Sequence, residues 1–490
     1  MNKLKIVLRL LMTLIGCGFP ASTIGQVILS IDETSVISNE YIGNGVQWDP
    51  YTMDYGHGRL TFSDADIAKI YERLDFMQPA IVRMMINASS LSSENGTPDF
   101  NNYYPNVEFL LKYCQSRGID VVFGDWGGSL ISHNDKLINR KNITTLVSFI
   151  RYLLDEKGMG CIRYLNFVNE PNGYWSATDG DFELWRDGMR IIHSEIEKQG
   201  LANRISLIGP DAAIWTTDET WWIEKIASDI GNIIGLYDIH TYPSKYTVNT
   251  NQYYEIIKSY RDCVPANHKI IMGEIGLKYV APEDKALNEL NRLRAETYKY
   301  ASIEDSQMSV YDVAYGLDMA DALVQTLQAG YSGTVAWMLD DAMHNNEAPD
   351  KLKIWGFWNS FGDEFFGKDQ EKIRPWFYAW SILCRSIPRG CEVIDVKSNA
   401  PGSLKSALVR RNGKYSLILL NISEANLSVY INREMTSFIP GAKVSIYNEN
   451  VLNNLSSELS LPEENKACIS HEGDILYVPA KSLVIISNIL

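Results

Sequence analysis

Eight short β-type runs separated by stretches of helical periodicity constrain this chain more than any other feature. They are YIGNGVQW (41–48), AIVRMMI (80–86), DVVFGDW (120–126), RYLNFVN (163–169), RISLIGP (204–210), LYDIHTY (236–242), KIIMGEI (269–275) and GTVAWML (333–339). Strands that alternate with helices pair in parallel, because a parallel crossover needs a helix's worth of chain. Between the first two runs lies SDADIAKIYERLDFM, in which Ser63 is placed to cap and Ile67, Ile70, Tyr71 and Leu74 share one helix face. A second amphipathic stretch runs from Asp181 to Lys198 and stops at Gly200, a suitable C-terminal cap. Eight such units over residues 41–339 fit an α/β fold, a (β/α)8 TIM barrel with long loops.

The texture changes after residue 385. GSLKSALVRRNGKYSLILLNIS alternates in twos around Asn412-Gly413, a strong hairpin signal, and helical periodicity fades. The last hundred or so residues therefore read as an antiparallel β-sandwich. VILSIDETSVIS (27–38) is also strand-like, and its expected partner is that sandwich. The expected domains are a leader over 1–26, a catalytic barrel over 39–384, and a discontinuous sandwich from 27–38 plus 385–490. A chain of 490 residues has room for both.

The leader reads as an export signal. Lys3 and Lys5 precede the apolar IVLRLLMTLIGCGF, broken by Arg9. About 12 apolar residues are too few to cross a bilayer, which takes roughly 20. Leu14-Ile15-Gly16-Cys17 resembles a bacterial lipoprotein signal, in which Cys17 would carry the lipid. Ordinary cleavage near ASTIGQ, discarding Cys17, is the alternative. Both readings imply an exported bacterial protein: periplasmic, extracellular or an outer-membrane lipoprotein, with membrane attachment only through Cys17. Export permits disulfides, and Cys384 with Cys391 is the nearest pair among Cys114, Cys161, Cys263, Cys384, Cys391 and Cys468. Mostly buried free thiols, or one bridge, are expected. Neither a metal-spaced cluster nor a glycine-rich phosphate loop is present, so no metal or organic cofactor is expected. The formal charge of −15, without a basic block, disfavours nucleic acid. Twelve Trp and 27 Tyr are more than core packing usually requires, and such residues, with their polar handle, often line binding surfaces.

Barrel active sites lie at the C-terminal ends of the strands. Glu170, in VNEP, follows the fourth run, and Glu274, in MGEIG, ends the seventh. Two carboxylates converging on one mouth match a glycosidase pair. One carboxyl must deliver a proton to the leaving oxygen; the other must stay ionised beneath the anomeric carbon as positive charge develops there.

With VNEP at 168–171, MGEIG at 272–276, HTY at 240–242 and Trp337 on the eighth run, the chain resembles glycoside hydrolase clan A. This is the retaining group with catalytic glutamates on strands four and seven. Families 30, 39, 51 and 79 of the clan append a similar β-sandwich, and the resemblance covers nearly the whole mature chain without singling out one family. It implies that Glu170 is the acid/base and Glu274 the nucleophile. It also implies that Asn169 contacts the sugar 2-hydroxyl, Tyr242 donates to Glu274, Arg83 holds Glu274 ionised, and Trp337 stacks on the sugar. His240 shares the Tyr242 strand face and either reaches the site or is a satisfied core histidine. Loop residues expected to line subsites are Gln47, Trp48, Asp125, Trp126, Tyr174 and Trp175, with His344, Trp355 and Trp358 as further walls. The plainer alternative is that about half of these aromatics only pack loops against the rim.

The expected activity is retaining hydrolysis of glycosidic bonds, with β linkage, in a poly- or oligosaccharide. The competing expectation is a catalytically lapsed, surface-exposed glycan-binding protein on the same fold. Binding alone has no need for both glutamates together with Asn169 and Tyr242.

Overall fold

The structure, a computed structural model, describes residues 26–52, 60–346, 348–431, 442–460 and 475–489. The leader, Cys17 and Cys468 lie outside them. Eight parallel strands close into a barrel: β2 (Gly43–Gln47), β3 (Ile81–Ile86), β4 (Asp120–Asp125), β5 (Ile162–Asn166), β6 (Ser206–Ala213), β7 (Ile234–Thr241), β8 (Ile270–Ile275) and β9 (Gly333–Ala336). All eight expected runs are strands of the barrel. Period-two alternation sorts their side chains. Ile42, Ile81, Val122, Ile208, Leu236, Ile271 and Val335, with Tyr164 against them, plug the lumen. Val82, Met84, Val121, Phe123, Ile270 and Met272 face the surrounding helices.

The helix Asp64–Met77 starts at Ser63, which forms a reciprocal capping box with Asp66. The helix Phe182–Lys198 starts at Asp181, whose side chain accepts from Leu184 N–H, and Gly200 follows it in a left-handed turn.

β1 (Val27–Ser38) leaves the barrel. It pairs antiparallel with β12 (Glu392–Ser398) and parallel with β15 (Leu427–Ile431). A short hairpin, β10 (Asn345–Asn346) with β11 (Ala348–Leu352), follows β9 at the mouth. The remaining strands are β13 (Leu404–Arg411), β14 (Lys414–Asn421), β16 (Lys443–Tyr447), β17 (Ile475–Val478) and β18 (Ser482–Ser487). The eight join in one sheet, ordered β16-β18-β14-β13-β12-β1-β15-β17, curled around its own core. Asn412 and Gly413, both at positive φ, make the β13–β14 turn. On β14, Leu417 and Leu419 enter the sheet's own core, whereas Ile418 and Leu420 join the core shared with the barrel. There they meet the helices Val313–Gln328 and Trp376–Ser386, and Tyr447 Oη–H donates to the Val313 carbonyl at 2.8 Å.

Among the described residues all five cysteines are free thiols, so Cys384 and Cys391 do not form the bridge considered above. No described helix is long and apolar enough to cross a membrane.

Candidate active site

Glu274 faces the lumen because β8 carries one extra residue. Ile270, Met272 and Ile275 pack outward and Ile271 inward, so strict alternation would turn Glu274 outward. The register slips between Ile239↔Met272 and His240↔Glu274, and this bulge brings Glu274 inward opposite His240. β6 repeats the device between Pro210 and Ala212. Its extra residue, Asp211, takes a φ of 62° and is fully buried in the lumen. β6 continues to Ala213, beyond the run expected from the sequence.

Glu170 arrives by a loop. β5 ends at Asn166, short of the expected boundary, and the Asn166 side-chain carbonyl accepts from Val168 N–H at 3.1 Å. Phe167 and Val168 are buried, and the chain turns at Glu170 with φ 47°, closed by Gly173 N–H on the Glu170 carbonyl at 3.0 Å.

Arg83, fully buried on β3, binds these elements together. Its Nη1 donates to Glu274 Oε2 (3.1 Å) and Gln47 Oε1 (2.9 Å); its Nη2 donates to Asn169 Oδ1 (2.7 Å) and Asp211 Oδ2 (2.8 Å). Tyr242 Oη–H donates to Glu274 Oε1. His240 Nδ1 lies 3.2 Å from Glu170 Oε1 and 3.8 Å from Glu274 Oε2, and its Nε2 lies 2.8 Å from Asp211 Oδ1. One carboxylate oxygen each of Glu170 and Glu274 and a ring nitrogen of His240 lie within 4.8 Å of one another.

The electrostatics follow from this packing. Burial opposes charge on His240, but Asp211 and then Glu274 outweigh it and push the imidazole up to about 10, so it is cationic near neutrality. Asp211 is buried too, yet Arg83 and His240 hold it well below the usual carboxylate range. Asp238, behind it, is pushed well above that range by burial and by Asp211. Burial, with Glu170 adding to it, raises Glu274 above its ordinary value, and His240, Arg83 and the Tyr242 hydrogen bond offset only part of that rise. Tyr242 is raised by burial and by Glu274, and so remains a donor. Two carboxylate–histidine groupings, Glu170–His240–Glu274 and Asp211–Asp238–His240, have metal-like spacing. Arg83 and cationic His240 already supply the positive charge that would balance them.

Asn169, Glu170, Tyr242, Glu274, Trp337, Trp126, Trp175, Tyr174 and His344 line one open cavity of about 790 Å³, and Arg83 and His240 lie beneath it. Trp126, Trp337 and His344 cluster on one wall, with ring centroids 5.2–6.4 Å apart. His344 is fixed by Asp49, whose Oδ2 is 2.8 Å from Nε2. Asn87, Trp126 and His344 also border a second cavity of about 430 Å³ lined by Asp49, Ser90 and Asn102, which extends the cleft.

Other expectations are corrected. Trp48 does not line a subsite. Gln47 points inward to Arg83, so alternation turns Trp48 outward, fully buried against Phe109 and Tyr113. Asp125 is buried too and braces the loop after β4 through Ala88 N–H, Gly127 N–H and the Ser129 hydroxyl. Trp358 packs under Arg73 in the core, and Trp355 supports Tyr242 from behind.

The sequence reading missed Asp211, the carboxylate joining Arg83 to His240, and the cleft residues Trp215, Lys278, Asp305 and Lys353. A proline inside the β6 run and a glycine inside the β8 run were the available signals, since both residues mark bulges.

No family model matches the sequence, and no curated protein matches it in sequence. Solved structures share the fold. A GH30 endoxylanase from Clostridium papyrosolvens C71 superposes with a TM-score of 0.61 at 14% identity, covering 94% of this chain and 99% of that one. A GH39 β-xylosidase from Caulobacter crescentus gives 0.57 at 12% identity, over 94% and 99%. A conserved exported protein from Bacteroides fragilis gives 0.61 at 15% identity, over 94% and 100%. The barrel with its appended sheet is the fold shared with these structures over nearly the whole of each chain.

Proposed function

We propose that this protein is an exported retaining glycoside hydrolase acting on β-linked poly- or oligosaccharides. The observation that carries the reading is the proximity of Glu170 and Glu274, whose nearest oxygens lie within 4.8 Å. Retaining pairs have carboxyl groups about 5–5.5 Å apart, inverting pairs about 6.5–9.5 Å, and the close approach of the two glutamates favours the former.

In this reading Glu274 attacks the anomeric carbon as the glycosidic C–O bond breaks, and the departing oxygen takes the proton of Glu170. The glycosyl–Glu274 ester is then cleaved by a water whose proton returns to Glu170, and Glu274 leaves as carboxylate. Arg83 and Tyr242 donate to the two oxygens of Glu274 and cationic His240 lies 3.8 Å away, contacts that favour its ionised form against the burial that raises it. Asn169 spends its carbonyl on Arg83, leaving its amide N–H groups for a sugar hydroxyl. Trp337 offers a ring face to the sugar, with Trp126 and His344 as the adjoining wall. The charged leader and the exported neighbour from Bacteroides fragilis support secretion.

The test is hydrolysis of aryl β-glycosides and a polysaccharide panel by wild type, Glu274→Ala and Glu170→Gln. Both variants should fold and lose nearly all activity. Azide should restore turnover of Glu274→Ala, with a product of inverted anomeric configuration. Full activity in either variant would overturn the assignment.

A further inference from the structure

An exposed tryptophan gains little from being held in one place unless something depends on its position. Trp175 is 46% exposed, yet its Nε1–H donates to Glu170 Oε2 at 2.7 Å. The indole reaches back over Gly173 to do so, and a Cβ on Gly173 would lie 2.3 Å from indole Cε2. Gly173 is not in the left-handed region, so its backbone does not demand glycine. What demands it is the overlying ring. Trp215 and Tyr174 brace that ring edge-on, at centroid distances of 5.9 and 5.0 Å. The other Glu170 oxygen faces His240 Nδ1 at 3.2 Å, so the carboxyl is gripped from both sides.

Tyr174, Trp175 and Trp215 border the cleft beside Glu170, with Tyr174 81% exposed. Aromatic faces of this kind suit the C–H face of a pyranose ring. A sugar lying there is on the Glu170 side of the scissile bond, where the leaving group departs.

We infer that Trp175 is a positioning residue: its N–H aims the Glu170 carboxyl, and its ring, with Tyr174 and Trp215, forms the leaving-group subsite. Occupancy of that subsite and orientation of the acid are thereby coupled through one side chain. The inference rests on the glycosidase reading for its consequence, though not for the contact itself.

Two variants separate the parts. Trp175→Phe keeps a ring and removes the N–H. Gly173→Ala keeps the tryptophan and pushes it off Glu170. A 2,4-dinitrophenolate leaves without a proton, whereas a phenolate needs one. On phenyl and 2,4-dinitrophenyl β-D-xylosides and β-D-glucosides, both variants should lose at least tenfold more kcat/KM with the phenyl than with the dinitrophenyl substrate. Equal losses on the two would overturn the positioning role. The contact is read without turnover in 15N-tryptophan-labelled protein, where the indole N–H signal absent from Trp175→Phe belongs to Trp175. That signal should shift in Glu170→Gln and in Gly173→Ala, and a signal unmoved in both would overturn the contact. Failure of wild type on every glycoside counts against the glycosidase reading, and the inference is then decided by that signal alone.

Discussion

His240 stands directly opposite Glu274 across β7 and β8, in a register created by the bulge at Gly273. The same bulge leaves no room above Gly273: a Cβ there would lie 2.8 Å from Asp238 Oδ2 and 3.3 Å from both Asp238 Cβ and His240 Cδ2. One missing side chain thus allows the nucleophile candidate, its cationic neighbour and the carboxyl behind them to share the lumen.

Gly273→Ala should therefore damage the site more than the fold. The methyl must displace buried Asp238 or His240, an overpacking that costs about 1–3 kcal/mol. The expected outcome is a modest drop in the urea midpoint with a ten- to hundredfold fall in kcat. Unchanged kcat beside a lowered midpoint would show that the register is not what the chemistry depends on.

Asp211→Asn tests the charge on His240. His240 is pushed up to about 10 from its ordinary 6.5, with Asp211 the foremost of the groups raising it. A group whose folded pKa exceeds its unfolded value contributes stability in full below about pH 6.5, and that contribution is lost as pH rises through about 10. Without Asp211 the imidazole should discharge at lower pH, so the alkaline loss of stability should begin earlier. Arg83 would also lose a buried partner, at a cost of about 3–5 kcal/mol. Urea unfolding from pH 6 to 10 measures both effects. Parallel curves for wild type and variant would rule out Asp211 as the source of the shift.

Much of this was legible in the sequence because it follows simple periods. Eight strands, the Ser63 and Asp181 helix starts and the Asn412-Gly413 hairpin all obey local rules that tertiary context did not override. That Glu170 and Glu274 share one cavity was legible from the strand ends on which their motifs fall. What was not legible came from breaks in the period. Asp211 faces inward only through the β6 bulge, and plain alternation hides it. Trp48 failed for the opposite reason: alternation holds at the end of β2, and a strand-end position was given more weight than the face it implied.

Trp48 and Trp337 should consequently behave as different kinds of tryptophan. Trp48 is fully buried between Phe109 and Tyr113, so Trp48→Ala should cost about 3–5 kcal/mol of stability. Where the variant remains folded, its KM should stay close to that of wild type. Trp337 borders the cleft, so Trp337→Ala should lower kcat/KM by tenfold or more with a smaller change in unfolding midpoint. Thermal unfolding alongside steady-state kinetics distinguishes them, and a large KM change in Trp48→Ala would contradict its placement outside the cleft.

A last prediction concerns the seam between barrel and sheet. Asp321, on the helix Val313–Gln328, is fully buried and lies 3.8 Å from Lys405 Nζ on β13. Burial outweighs the opposing charge of Lys405 and raises Asp321 from 3.8 to about 7. Its folded pKa exceeds its unfolded one, so its contribution to stability is complete below about pH 3.8 and is lost as pH rises through about 7. Each unit of displacement corresponds to about 1.4 kcal/mol. Asp321→Asn keeps an acceptor for the Gln325 side chain, which donates to Oδ1 at 2.6 Å, and removes the titration. The difference in unfolding free energy between wild type and variant should therefore move in favour of the variant from pH 4 to 7. A difference constant across that range would mean that Asp321 is ionised throughout and that Lys405 neutralises it despite the burial of both.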